Sequence, residues 1–212
     1  MSLENDIKKA ILDWNEDDLK SICKSKIEEV TAAEILRIIG NVMRHVGELF
    51  GKEEIFLPDL IGSAECVKNV IEEVLDPAIR ASGEKKNVKG IVIIGTVESD
   101  VHSIGKDLVS SFLFSNGYEV YNLGVDVPAS KFIEKAEETG AQVIALSSLL
   151  TMSMDFQKEF ITELKNRGIR DKYKIIVGGA PTSEDWASQI GADGWADDAI
   201  EAVNLVNNIL SK

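Results

Sequence analysis

The apolar residues of this 212-residue chain change their spacing once, at a polar segment between residues 82 and 90. Before it, from residue 3 to about 81, they recur every three or four positions, as on the buried face of an amphipathic helix. After it, short apolar runs alternate with amphipathic stretches. The change predicts a helical domain over residues 1–82, a linker over 83–90 and an α/β domain over 91–212.

The first region predicts a four-helix bundle. Two short amphipathic segments, 3–13 and 16–29, precede a longer one at 32–51 that ends on Gly51. Pro58 suits the first turn of a fourth helix, where its missing N–H costs nothing. Helices joined by such short connections favour antiparallel packing.

The second region predicts a sheet of five parallel strands. The apolar runs IVIIG, EVYNLG, QVIALS, KIIVGG and GADGWA are each followed by a helical stretch. This repetition indicates a parallel sheet with helices on both faces, and we expect the flavodoxin-like (Rossmann-type) strand order 2-1-3-4-5. Ligands of such sheets bind beyond the carboxyl ends of the strands, near the first and third.

Three unusual loops are predicted to meet at that edge: TVESDVHSIG after strand one, SSLLTMS after strand three and GGAPTS after strand four. A phosphoacceptor receiver domain would need an aspartate where strand three ends in Ser147. The glycine and lysine spacing of a P-loop is absent. A flavodoxin phosphate loop is disfavoured because Gly105 is the only glycine that follows strand one in that loop.

Charge and cysteine usage restrict the partners and the compartment. The net charge is −13, with 36 acidic against 23 basic residues, and this disfavours nucleic acid or an anionic membrane as a partner. No secretory signal or membrane-spanning run is apparent. Cys23 and Cys66 lack a CxxC spacing, and we expect reduced thiols in a cytoplasmic protein.

His102, in the loop after strand one, lacks the histidine and cysteine neighbours of a zinc site, because three of the four such residues lie in the helical region. A lone histidine can still bind a metal when a macrocycle fills the equatorial positions. Asp100 could then accept its other ring N–H and fix the tautomer. From these residues alone, a surface histidine beside an incidental aspartate remains equally open.

The motifs taken together resemble a known family. Asp100-x-His102-x-x-Gly105 is followed after 41 residues by Ser147-x-Leu149, and after 28 more by Gly178-Gly179. This order resembles the cobalamin-binding pattern DxHxxG…SxL…GG of methionine synthase and of the corrinoid proteins of methanol, methylamine and methoxy-compound methyltransferase systems. The segment LFGKEEIFLPDL, residues 49–60, resembles the part of these proteins that caps the upper face of the corrin.

The resemblance implies roles for individual residues. His102 would ligate cobalt in place of the cofactor's own base (base-off, His-on binding), with Asp100 and Ser153 completing a hydrogen-bonded relay. The displaced nucleotide tail would enter a slot beside strands one and three. Further cofactor contacts are implied for the first-loop residues Val101, Ser103, Ile104 and Gly105, for Ser147, Leu149, Thr151, Gly178 and Gly179, and for the cap residues Phe50 and Leu57.

Two positions depart from the common family pattern. Many members read GDVHDIG where this chain reads SDVHSIG, so that Ser99 and Ser103 replace a glycine and an aspartate. Neither position is an axial ligand, and we expect cobalamin binding to persist.

The resemblance implies a methyl carrier rather than an autonomous enzyme. A substrate-specific corrinoid methyltransferase would load a methyl group onto the cobalt, and a second methyltransferase would pass it to a thiol or to tetrahydrofolate. A reductive activase would be a third partner. A cobalamin-dependent sensor and a subunit of an adenosylcobalamin mutase are alternatives, and the sequence does not name the methyl donor.

Overall fold

A computed structural model describes residues 2–82 and 88–211 of the chain. The chain divides into two compact units, the first Met1–Val88 with Phe114–Gly117, the second Lys89–Leu113 with Tyr118–Lys212. The predicted linker, 83–90, falls largely outside the described residues, and its role stays a prediction. No described helix is both long and apolar enough to cross a bilayer.

The first unit is helical, as its apolar spacing predicts. Its helices are α1 (Leu3–Leu12), α2 (Glu16–Lys26), α3 (Ala32–Gly51), α4 (Leu57–Val70) and α5 (Asp76–Ser82). Side chains fix the first three starts: Ser2, Asn15 and Thr31 each accept a hydrogen bond from the backbone N–H three residues later. Fully buried apolar side chains form the core, among them Ile7, Ile11, Leu19, Ile35, Val46, Leu60, Val67 and Leu75.

The stretch after Pro58 is predicted as one α-helix, and the structure differs from this in one turn. Residues Ile71–Leu75 form a π-helical turn between α4 and α5, in which the N–H of Asp76 bonds the carbonyl of Ile71. Pro77 follows two residues after the end of this turn. Proline cannot donate a backbone hydrogen bond, and its ring crowds the carbonyl four residues earlier. The widened turn lies where an α-helical ladder would meet that obstruction.

The second unit is a five-stranded parallel sheet. Its strands are β1 (Ile91–Thr96), β2 (Glu119–Asn122), β3 (Val143–Ser147), β4 (Lys174–Gly178) and β5 (Gly194–Ala196). Their order is β2-β1-β3-β4-β5, which confirms the predicted winding. The connecting and terminal helices are α6 (Ile104–Ser115), α7 (Ala129–Thr139), α8 (Met154–Asn166), α9 (Glu184–Ile190) and α10 (Ala199–Leu210).

The central strands are buried on both faces, which explains their unbroken apolar runs. On one face Phe132 of α7 and Phe160 of α8 meet edge to face, with ring centroids 5.6 Å apart. Gly95 makes room for this pair, because a Cβ there would lie 2.7 Å from the Phe132 ring. Alternate strand residues such as Val92, Ile94 and Val143 are buried on the other face.

The strand register brings three loops to one level. Thr96 of β1 pairs with Ser147 of β3, and Ser147 pairs with Gly178 of β4. These three strands therefore end side by side at the carboxyl edge. The loops that carry the three sequence motifs leave the sheet from adjacent positions.

Candidate functional site

Asp100, in the loop after β1, has a fully buried carboxylate that five donors surround. Its Oδ1 accepts hydrogen bonds from the ring Nδ1 of His102 at 2.8 Å and from the His102 backbone N–H at 3.1 Å. Its Oδ2 accepts from the Ser153 hydroxyl at 2.7 Å and from the N–H groups of Leu149 and Leu150 at 2.7 and 3.2 Å. The aspartate thus joins the β1 loop to the β3 loop.

These donors keep Asp100 ionised. Burial by itself would raise the pKa of the carboxyl group, because it disfavours the charged form. The hydrogen bonds from Ser153 and from the backbone N–H groups of His102 and Leu149, with the His102 ring, outweigh burial and hold the pKa of Asp100 well below its ordinary value. The site therefore contains a permanent buried negative charge at neutral pH.

His102 is held in one tautomer by that charge. An ionised carboxylate can only accept, so Nδ1 of the ring carries the proton that is shared with Asp100. Nε2, across the ring, is then left with its lone pair in the neutral imidazole. The side chain is 46% exposed. The structure presents a nitrogen ligand at the surface whose orientation is fixed from the interior.

Backbone contacts hold the β1 loop in place. Thr96 donates its hydroxyl to the His102 carbonyl at 2.7 Å. The N–H of Ser99 bonds the Asp126 carboxylate at 2.7 Å, and the Asp126 N–H bonds the Asp100 carbonyl at 2.9 Å. Ser99 has a φ of +65°, a left-handed conformation that glycine adopts most readily. A glycine at this position would adopt the same conformation without steric strain.

The first turn of α6 is anchored by polar groups. The buried Lys106 ammonium pairs with Asp107 and donates to Asn122 Oδ1 at 2.7 Å. Burial opposes ionisation of Asp107, but its bonds to Lys106, Asn122 and the Ser103 hydroxyl lower its pKa. An aspartate in place of Ser103 would set two carboxylates together, so the serine suits this neighbour.

The β3 loop adds a second hydroxyl to the relay. Ser148 Oγ lies 2.7 Å from Ser153 Oγ and also donates to the Leu150 carbonyl at 3.1 Å, and both serines are buried. The sequence predicts Ser147 and Thr151 as site residues but gives no signal for Ser148. Ser147 is half-buried, its carbonyl accepts from the Val97 N–H, and Thr151 is exposed.

The three motif glycines meet different surroundings. Gly179 has a φ of +115°, and a Cβ there would lie 1.9 Å from the Ser148 carbonyl oxygen. A Cβ on Gly178 would approach the Ala196 carbonyl at 3.1 Å, whereas one on Gly105 would meet no heavy atom within 4 Å. The protein's own packing therefore demands glycine at 179, and at 105 it leaves open space.

Exposed apolar side chains stand around the histidine on these two loops. Val101 and Ile104 flank His102 in sequence and are 70% and 73% exposed. From the β3 loop, Leu149, Leu150 and Met152 are exposed as well, Met152 to 85%. Large exposed apolar groups concentrated in this way indicate a binding surface. Leu150 and Met152 were not among the predicted site residues.

The cap residues belong to the helical unit. Phe50 lies near the end of α3, Leu57 begins α4, and both are half-buried. Phe56, between them, is 78% exposed, and its N–H bonds the Asp59 carboxylate at 2.8 Å. The cap role of Phe50 and Leu57 stays a prediction.

The donor set suits a metal that brings its own equatorial ligands. In the described ranges, 2–82 and 88–211, no three His, Cys, Asp or Glu side chains cluster as a metal site. One oriented imidazole amid apolar groups, with open space at Gly105, fits the lower face of a corrin, which supplies four equatorial nitrogens.

Comparison with known proteins gives the same cofactor. Family models described as B12 binding domain match residues 90–204 and residues 3–84. A corrinoid protein of Desulfitobacterium hafniense is 42% identical over 100% of this chain and 99% of its own. Dimethylamine corrinoid protein 1 of Methanosarcina mazei is 38% identical over 98% of this chain and 96% of its own.

Solved structures agree in fold. A chain of the methanol:cobalamin methyltransferase complex of Methanosarcina barkeri has a TM-score of 0.85 and 30% identity, covering 99% of this chain and 80% of that one. The monomethylamine corrinoid protein of the same organism has a TM-score of 0.55 and 33% identity, covering 96% of both chains. This chain belongs to the family of B12-binding corrinoid proteins of methyltransferase systems, and its cofactor is a cobalamin-type corrinoid.

Proposed function

We propose that this corrinoid methyl carrier binds cobalamin base-off, with His102 Nε2 as the lower axial ligand of cobalt. The supporting observation is the buried, ionised Asp100, which fixes Nδ1 of His102 as the protonated nitrogen. Hydrogen bonding of this kind raises the basicity of the ligating nitrogen. When bound, the corrin supplies the cobalt centre on which the methyl group is carried.

The chain's own residues then have separate tasks. Asp100 and Ser153 orient the imidazole, with Ser148 behind them. Val101, Ile104 and Met152 offer apolar contact to the corrin, and Ser103 is a further cofactor contact. Gly105, Ser147, Leu149, Thr151, Gly178 and Gly179 are assigned to the expected tail slot by the family resemblance. Phe50 and Leu57 are assigned to the upper face by the family resemblance. The protein positions and shields the cofactor.

The partners follow from the same proposal. The chain in the methanol:cobalamin methyltransferase complex that this protein resembles belongs to an assembly with a methyltransferase, and we assign a substrate-specific methyltransferase to this chain too. A second methyltransferase with a thiol or tetrahydrofolate acceptor, and a reductive activase, complete the cycle. A cytoplasmic location belongs to the proposal, and the free thiols of Cys23 and Cys66 suit a reducing compartment.

Electron paramagnetic resonance of the cob(II)alamin form tests the axial ligand. In this form a ¹⁴N axial ligand splits each cobalt line into three, and a ¹⁵N ligand splits it into two. Protein labelled with [¹⁵N]histidine should therefore show doublets, because the ligand nitrogen belongs to the protein. His102→Ala should lose that splitting. His45→Ala is the matched control, since His45 lies in α3 with a 42% exposed side chain and should leave the spectrum unchanged. If the labelled wild-type protein still showed the three-line splitting of ¹⁴N, the cofactor would have retained its own base as the ligand.

A further inference from the structure

We propose that Asp126, in the loop after β2, is a positioning residue for the axial histidine and acts through the backbone on either side of Asp100. This inference rests on the proposed base-off binding with His102 as the ligand, and it adds a determinant outside the relay. Asp126 is exposed, and its hydrogen bonds go to peptide groups of the β1 loop. It is therefore a candidate for holding that loop in the conformation that the relay needs.

Asp126 lies in a bulge between the β2 ladder and the bridge that follows it. The β1–β2 ladder reaches its last pair at Ile94 and Asn122, and an isolated parallel bridge then pairs Val97 with Val127. Between these two pairs the chain advances three positions on the β1 side and five on the β2 side. The extra residues leave the line of the strand, and bulges of this kind re-aim side chains beside functional sites.

Asp126 holds the backbone both before and after the Asp100 side chain. Its carboxylate accepts from the Ser99 N–H at 2.7 Å, and its own N–H donates to the Asp100 carbonyl at 2.9 Å. The Asp100 N–H donates to the Val97 carbonyl at 3.2 Å. Because the peptide groups on both sides are bonded, the direction in which the Asp100 side chain leaves the backbone is fixed. His102 follows two residues later, in the same loop.

The bond between Ser99 and Asp126 joins two residues with strained backbones. Their φ angles are +65° and +53°, in the left-handed region that side chains other than those of asparagine and aspartate rarely adopt. Among the residues that the structure describes, only Trp14 and Glu53 share a positive φ without being glycine. Strained residues persist where surrounding contacts hold them, and they concentrate at functional sites. Loss of the carboxylate should therefore let both loops relax and should disturb the orientation of the imidazole.

A double-mutant cycle tests whether Asp126 acts through His102. Dissociation constants for cobalamin are measured by visible absorbance on the full-length apoprotein, for wild type, the two single alanine variants and the double variant. Asp126→Ala should weaken binding by wild type about tenfold, the effect of losing one hydrogen bond to a charged acceptor. In the His102→Ala background the same change should weaken binding less than about twofold, because no axial nitrogen remains to be positioned.

Electron paramagnetic resonance of the cob(II)alamin form, at saturating cobalamin, gives a readout that a change in stability alone would not move. In Asp126→Ala, part of the cobalt should lose the splitting from the histidine nitrogen. Asp126→Asn should retain the splitting, because its amide oxygen can still accept from the Ser99 N–H.

Asp126→Gly separates the hydrogen bond from the backbone strain, because glycine removes the carboxylate and also adopts the positive φ freely. It should resemble Asp126→Ala in affinity and spectrum. A wild-type spectrum in Asp126→Gly would assign the effect to strain and would overturn the role of the carboxylate. This variant also decides the question should Asp126→Ala fail to fold.

Asp198 provides a matched control at the opposite edge of the sheet. It is exposed, follows β5 and accepts a backbone N–H, that of Glu201, at 2.7 Å. Asp198→Ala removes the side-chain cap of α10 and should lower the stability of the apoprotein. Cobalamin affinity and the cobalt spectrum should stay as in wild type.

The outcomes separate the two proposals. Equal weakening by Asp126→Ala in both backgrounds, no weakening in either, or an unchanged nitrogen splitting in Asp126→Ala overturns the positioning role. If His102→Ala alone binds cobalamin as tightly as wild type and keeps the nitrogen splitting, the proposed base-off binding fails instead.

Discussion

The ring Nδ1 of His102 lies 2.8 Å from Oδ1 of an aspartate that is fully buried, while the ring itself is half-exposed. The pair therefore spans the boundary between the interior and the binding surface. The charge that orients the imidazole is already in place in the apoprotein, held by backbone and hydroxyl donors.

Replacing Asp100 with asparagine should weaken cobalamin binding about 10- to 100-fold, the usual effect of losing the partner of a metal-bound histidine. The amide would also turn an N–H group towards donors that now reach Oδ1 or Oδ2. Titration with cobalamin measures the change. Asp155→Asn, at an exposed carboxylate in the first turn of α8, is the control and should bind as wild type does. Equal affinities in Asp100→Asn and wild type would contradict the relay.

The stability of the apoprotein should depend on pH through Asp100. Its folded-state pKa is lowered by its hydrogen bonds, so its contribution is fully present above the unfolded-state value of about 4 and is lost as the pH falls below it. The difference in unfolding free energy between wild type and Asp100→Asn should shrink between about pH 5 and pH 3. Urea denaturation at several pH values checks this. A difference in unfolding free energy that stays constant with pH would show that these hydrogen bonds do not lower the pKa of Asp100.

Gly179→Ala should destabilise the apoprotein by about 2 kcal/mol or more, because the new Cβ meets the Ser148 backbone at a strained φ. Urea denaturation gives the value. Gly168→Ala is the control, since Gly168 also has a positive φ, +67°, but open space at its Cβ position. It should cost about 1 kcal/mol, the steric price of the left-handed conformation alone.

Gly105→Ala should behave in the opposite way. No protein atom opposes a Cβ there, and alanine favours a helix by up to about 1 kcal/mol over glycine. The apoprotein should be as stable as wild type or slightly more stable, whereas cobalamin affinity should fall because the added methyl group occupies the ligand's space. Unchanged affinity would place Gly105 away from the cofactor.

Ser99→Gly should raise the unfolding free energy by about 0.5–1 kcal/mol, as relief of the left-handed conformation exceeds the extra entropy of unfolded glycine. Thermal unfolding of the apoprotein measures it. Ser99→Ala keeps the strain and should give no gain. A gain with alanine as large as with glycine would mean that φ at this position is not the cause.

The sequence was sufficient for the sheet order and for the meeting of Asp100 with His102. Both depend on local signals: apolar runs of strand length, and a spacing of two residues in one loop. The relay's third member, Ser153, came from the family resemblance, and the structure places its hydroxyl 2.7 Å from Asp100.

Other features depend on non-local register and have no sequence signal of their own. Every residue except proline has a backbone N–H, so the sequence gives no signal that Leu149 and Leu150 donate to Asp100. In the sequence Gln157 is one polar position in an amphipathic helix, and its bonds to the carbonyls of Leu146 and Gly178 depend on where β3 and β4 end. The role of Gly179 depends on the path of the Ser148 backbone, which the chain reaches from another strand.

Leu149 and Leu150 face two ways, with amide groups turned inward to the Asp100 carboxylate and side chains turned outward to solvent. Alanine scanning of this loop would report only the outward half, since every such variant retains its N–H. Proline is the one natural replacement that removes the backbone N–H bonded to Asp100. A mutational survey without proline would therefore report these two positions only as exposed apolar residues.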